Sequence, residues 1–110
     1  AIELLTSASA SNQTRGDALG VASNELNLGR AELAFGDSGL AESHLQRALE
    51  GFRALQDPEG LAETHEMLAR LSLARHEVEQ VRFHREQARA GFELLEDRSG
   101  LRRIESLLVQ

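Results

Sequence analysis

Residues forty apart in this chain match far more often than its composition allows, and a fixed period of this length constrains the fold more than any other feature. Of the seventy pairs i and i+40, nineteen are identical, against about six expected by chance for a composition rich in Ala, Leu, Glu and Arg. Asp17, Asp57 and Asp97 recur with Gly20, Gly60 and Gly100, and Leu28, Leu68 and Leu108 follow at the same offset. Leu33 pairs with Leu73, Ala48 with Ala88, Gly51 with Gly91, Phe52 with Phe92, and Leu55 with Leu95. Ala1, Leu5 and Ala8 map onto Ala41, Leu45 and Ala48, so the register reaches the first residue. The period predicts one domain over 1–110: complete units at 17–56 and 57–96, the second helix of an earlier unit at 1–16, and the first helix of a later one at 97–110.

Within a unit the apolar spacing is helical. Ala41, Leu45, Ala48, Phe52 and Leu55 form one stripe, and Val78, Val81, Ala88, Phe92 and Leu95 repeat it. The segments Ala18 to Phe35 and Pro58 to Arg75 are apolar on more than one side, as helices between two neighbours must be. Asp57 suits a helix cap, Pro58 the first helical position and Glu59 the positive end of the helix dipole. Asp37 in "FGDSG" is the corresponding cap between paired helices. These signals predict an all-α fold of six helices, roughly 1–14, 18–35, 38–55, 58–75, 78–95 and 98–109. A glycine in the first turn of a helix costs about 1 kcal/mol against alanine. Gly20, Gly60 and Gly100 are therefore expected where the start of one helix presses on the end of the previous one, with Gly51 and Gly91 acting likewise inside the second helices.

At 110 residues and 41% apolar content the chain can build one modest core. The absence of cysteine excludes disulfides and thiolate metal sites. A formal charge of -6 argues against nucleic acid and anionic membranes as partners. No apolar run is long enough to span a membrane, and Glu3 stands where a signal peptide would carry positive charge, so a cytoplasmic location is expected. All twelve basic residues are arginine, which fits a GC-rich coding sequence. Without Tyr or Trp, the usual interface anchors, binding would rest on Leu, Phe, Met and Arg.

The stretch "NLGRAELAFGDSGLAESHLQRAL" (Asn27 to Leu49) resembles the tetratricopeptide repeat family: Leu28-Gly29 in a first helix, Gly36-Asp37 at the turn, Ala41 and Ala48 in a second helix. "MLARLSLARHEVEQVRFHREQAR" (Met67 to Arg89) is a degenerate copy that keeps Leu68 and Ala88 and places Ala69, His76 and Val81 at the other signature positions. The forty-residue length is similar to a longer variety of the repeat found in bacterial regulators and eukaryotic scaffold proteins. Glu25, Glu32, His65 and Ser72 occupy sites where that family often has aromatic residues. The resemblance implies helix pairs stacked as a right-handed solenoid, with a concave surface of first helices that takes a peptide or protein partner. By helical phase that surface would contain Ser23, Asn27, Arg30 and Ala34 from one unit, Glu63, Glu66, Met67, Arg70 and Ala74 from the next, and Arg103 from the last. Asn27 matches an asparagine with which the family holds a ligand backbone. Arg30 and Arg70 could present guanidinium forks to carboxylates; the plainer expectation is that they pair with Glu63 or Glu66.

Other chemistry finds little support. His44, His65, His76 and His84 show no i, i+4 pair to ligate a metal from one helix face, and His44 and His84, forty apart, are expected to mark the same solvated slot. Glu63 with Glu66, or Glu77 with Glu79, would need a closed pocket to act as acid and base, and "GDSG" (Gly36 to Gly39) is a turn between helices. The sequence thus points to a protein-interaction module without cofactor, metal or catalytic residue, part of a larger bacterial regulatory or scaffold protein. Self-association through open terminal faces, giving a homo-oligomer, is the alternative.

Overall fold

The computed structural model describes residues 7–107, with side chains from Arg15 onward. Among the described residues there are five helices and no strand: α1 (Ser7–Phe35), α2 (Ser38–Leu55), α3 (Pro58–Ala74), α4 (Val78–Leu94) and α5 (Arg98–Glu105). None is long and apolar enough to cross a membrane. Each helix packs on the next across a turn of two or three residues, and α1 also touches α3. Short turns make sequence neighbours antiparallel, so α1, α3 and α5 lie side by side in one layer and α2 and α4 in another.

The turns share one device. Gly36, Gln56, His76 and Glu96 all take left-handed backbone conformations, with φ of 87°, 54°, 61° and 56°, which closes the preceding helix and reverses the chain. The Asp37 carboxylate then accepts from the Leu40 amide at 3.1 Å, and Asp97 from the Gly100 amide at 2.9 Å. Asp57 occupies the equivalent position without a side-chain bond, and there Pro58 at the first helical position starts α3.

The boundary expected between residues 14 and 18 is absent. α1 runs on for 29 residues, with Asp17 inside it. The two intact joints explain the difference. A Cβ on Gly60 would collide with the Phe52 ring, and one on Gly100 with the Phe92 ring, so each joint is clamped by an aromatic ring lying on a bare backbone. Forty residues earlier the ring is replaced by Asn12, and a Cβ on Gly20 would meet nothing within 4 Å among the described residues. Without the clamp, backbone hydrogen bonding carries the helix straight through. Gly51 and Gly91 meet the close-approach expectation: a Cβ there would stand 2.9 Å from Ala22 Cβ and 2.8 Å from Ala62 Cβ.

Two apolar clusters hold the layers together. One joins α1, α2 and α3 through Leu26, Leu45, Phe52, Leu68 and Leu71; the other joins α3, α4 and α5 through Ala69, Ala88, Phe92 and Ile104. α3 contributes to both, and it lies next to every other helix of its layer.

Candidate binding groove

Because α1, α3 and α5 share a layer, the faces they turn away from α2 and α4 form a common surface. A hollow of about 730 Å³ opens on it, lined by Arg30, Leu33, Ala34, Glu63, Glu66, Met67, Arg70, Ala74 and Arg103. Eight of the ten residues placed there by helical phase line this hollow. The remaining two, Ser23 and Asn27, line an adjacent depression of about 360 Å³ that shares Glu63 and adds Leu19, Leu26 and Glu59. Leu33 also lines the main hollow, although its match with Leu73 reads as a core position. Leu19 and Leu26 gave no groove signal either, since in sequence they are only part of an apolar side.

The charged groups are ordered around Glu66. Its carboxylate is almost fully buried, at 2% exposure, and a buried carboxylate requires partners. Arg103 Nε donates to both of its oxygens, at 2.9 and 3.2 Å, and Arg70 Nη2 donates at 3.3 Å. The bond to Glu66 raises the Arg103 pKa above its ordinary value, partly offset by burial. The Arg103 guanidinium also lies over the Phe92 ring, 5.6 Å from its centroid. One carboxylate thus ties α5 to α3 and fixes two arginines at the rim. For Arg70, the plainer expectation of an ion pair with a neighbouring glutamate holds.

Arg30 behaves differently: its Nη1 donates to Asn27 Oδ1 at 3.5 Å, a long contact that leaves most of the guanidinium unused. Glu63 faces it across the hollow. Burial, with help from Glu59, raises the Glu63 carboxyl above the usual range, while Arg30 and Arg103 oppose the shift. Arg70 Nε is shielded from solvent and has no partner among the described residues. The hollow therefore combines an apolar lining of Leu33, Ala34, Met67 and Ala74 with three arginines that retain donors. Such a surface can hold an extended segment by apolar contact and by charge-assisted bonds to carboxylates or carbonyls.

The histidines do not mark a solvated slot. His84 is buried, at 9% exposure, and its Nδ1 lies 3.0 Å from Nδ1 of His65, itself at 8%. Burial holds both below their ordinary pKa, His65 down to about 4, with His84 and Arg53 adding to the effect on His65. His44 is half-buried between α1 and α2, its Nδ1 2.6 Å from Glu32 Oε1 and its Nε2 3.9 Å from Glu25 Oε2. His76 sits in the turn before α4. All but His76 are packed between the helices of a pair, on the side of the first helix away from the groove, and equivalence of position told nothing of exposure.

Comparison with models of protein families, with curated proteins and with solved structures gave no match to this chain.

Proposed function

We propose that the chain is a non-enzymatic protein-interaction module, a stretch of tetratricopeptide-type solenoid that binds an extended peptide in the groove of α1, α3 and α5. The observation that carries this reading is the main hollow, whose apolar lining is rimmed by Arg30, Arg70 and Arg103. Its openness suits a chain segment crossing the helices. Glu66 is already engaged by two arginines, and the donors left over on Arg30, Arg70 and Arg103 favour a partner with acidic or carbonyl groups. On the resemblance to the forty-residue variety of the repeat, the module belongs to a larger bacterial regulator or scaffold in the cytoplasm, and it needs no cofactor.

Peptides selected on the chain from a random displayed library supply the test. Their affinities are measured against the native sequence and against Asn27→Ala/Arg30→Ala/Arg70→Ala. Charge-assisted bonds contribute about 1.5–3 kcal/mol each, so the triple variant should bind at least about tenfold more weakly with its helical circular dichroism unchanged. Equal affinity for every selected peptide would place the binding surface elsewhere.

A further inference from the structure

The groove of α1, α3 and α5 is ordered by charge along its length. Its main hollow is rimmed by Arg30, Arg70 and Arg103. The adjacent depression has the opposite character, since its charged lining residues are Asp57, Glu59 and Glu63. Glu63 lines both and marks the boundary. On the same side of α3, Met67 follows Glu63 by one turn and precedes Arg70 by another, so an apolar step separates the two signs.

The two regions also differ in how far their charges are answered. Arg70 and Arg103 hold Glu66, whereas the carboxylates of Asp57, Glu59 and Glu63 form no ion pair and accept no hydrogen bond among the described residues. Residues 1–14 and 108–110 contain no Lys, Arg or His, so no basic side chain outside the described residues answers them either. Arg15 shares a separate recess with Asp57 at the turn and donates to the Leu55 carbonyl at 2.6 Å. The positive end of α3 offsets only about half a charge. Glu59 and Glu63, one turn apart, are left as neighbouring like charges. Burial, and then Glu59, raise the Glu63 carboxyl above the usual range, and Arg30 and Arg103 only partly oppose the shift.

We infer that the groove takes a peptide of ordered charge: a lysine or arginine in the depression at Glu59 and Glu63, an aliphatic residue on Met67, and an aspartate or glutamate among Arg30, Arg70 and Arg103. The inference rests on peptide binding in the groove and adds to it the cation and the order. Along α3, at 1.5 Å per residue, Arg70 lies about 10 Å beyond Glu63 and about 16 Å beyond Glu59. An extended chain spans that distance in about three to five residues, which fixes the spacing between the two charges of the partner. Order also supplies rejection: a uniformly acidic segment is repelled at the depression and a uniformly basic one at the arginine rim.

Peptides selected on the 110-residue chain from a random displayed library should carry this order, and fluorescence anisotropy at low salt measures its energetic basis. The probes are the tightest selected peptide and a copy with its basic residue replaced by alanine. Glu59→Gln/Glu63→Gln should bind the parent peptide about tenfold more weakly and the alanine copy as the native chain does. Glu59→Gln alone, at an exposed position, leaves the half-buried site intact and should weaken the parent about two- to fivefold. Arg70→Ala, at the other end, should weaken both peptides by the same factor. Selected peptides without a basic residue at that spacing would overturn the charge order, as would a basic residue whose removal costs the same on the native chain and on both glutamine variants. Groove binding itself survives either result if Asn27→Ala/Arg30→Ala/Arg70→Ala still weakens the peptides. Peptides indifferent to that triple variant and to the glutamine variants alike bind elsewhere, and overturn both.

Discussion

Acid should weaken this fold through a single buried contact, the one between His65 and His84. In the folded chain their Nδ1 atoms are 3.0 Å apart, so one nitrogen donates and the other accepts, and burial favours the neutral form of both rings. Burial, His84 and Arg53 together lower the His65 pKa from 6.5 to about 4. Above pH 6.5 neither the folded nor the unfolded form takes up a proton, and the pair carries no penalty. Below 6.5 the unfolded chain binds a proton that the folded chain refuses, and the penalty grows until the folded histidine titrates near pH 4. A separation of 2.5 pH units at 1.36 kcal/mol each corresponds to about 3 kcal/mol for His65, with His84 lowered in the same direction. For a domain of this size that is a large share of total stability. Urea unfolding followed by circular dichroism at about pH 7.5, 5.5 and 4 measures it, with His65→Gln/His84→Gln as the reference. The amides preserve a hydrogen-bonded pair and do not titrate, and subtraction removes the carboxylates common to both proteins. The native chain should lose about 3 kcal/mol relative to the variant between pH 6.5 and 4. A difference that stays constant with pH would refute the assignment of neutral, buried rings.

The glycine joints and the buried carboxylate give two further tests by urea unfolding at neutral pH. Gly60→Leu should destabilise the chain by about 1–3 kcal/mol, because the Phe52 ring must be displaced. Gly20→Ala, in an open stretch of α1, should instead stabilise it by up to about 1 kcal/mol, and equal effects at the two sites would undo the clamp explanation. Glu66→Gln removes the charge that holds Arg70 and Arg103 and should cost about 1–3 kcal/mol; a neutral result would mean that the two arginines are not anchored by it.

Much of this architecture can be read from the forty-residue register, and the places where reading fails are specific. α2 to α5 begin and end within a few residues of the expected limits, because their caps, left-handed turns and aromatic clamps recur locally. The groove was legible because α3 is held from two sides, so the phase of its helix fixes what faces away. The missing joint inside α1 was not, since Asp17 and Gly20 repeat the signal of Asp57 and Gly60 while Asn12 stands where Phe52 supplies the ring. Exposure of the histidines was also hidden, because it depends on residues of another helix.

That last failure shows what the repeat preserves. His44 and His84 are equivalent, as are Glu25 and His65, and Glu32 and Ser72. In the first hairpin the slot between the helices holds His44 against Glu32 and Glu25; in the second it holds His84 against His65. The backbones are spaced alike in both, with Gly51 on Ala22 and Gly91 on Ala62 at nearly the same distance. A wedge of fixed size is therefore required there, and its chemistry is free to differ. In the first hairpin two carboxylates offer acceptors to a half-exposed ring, whereas in the second two buried rings have only each other as donor and acceptor. The two hairpins thus share a shape but not a chemistry, and His65 with His84 is where the second hairpin should open first as pH falls.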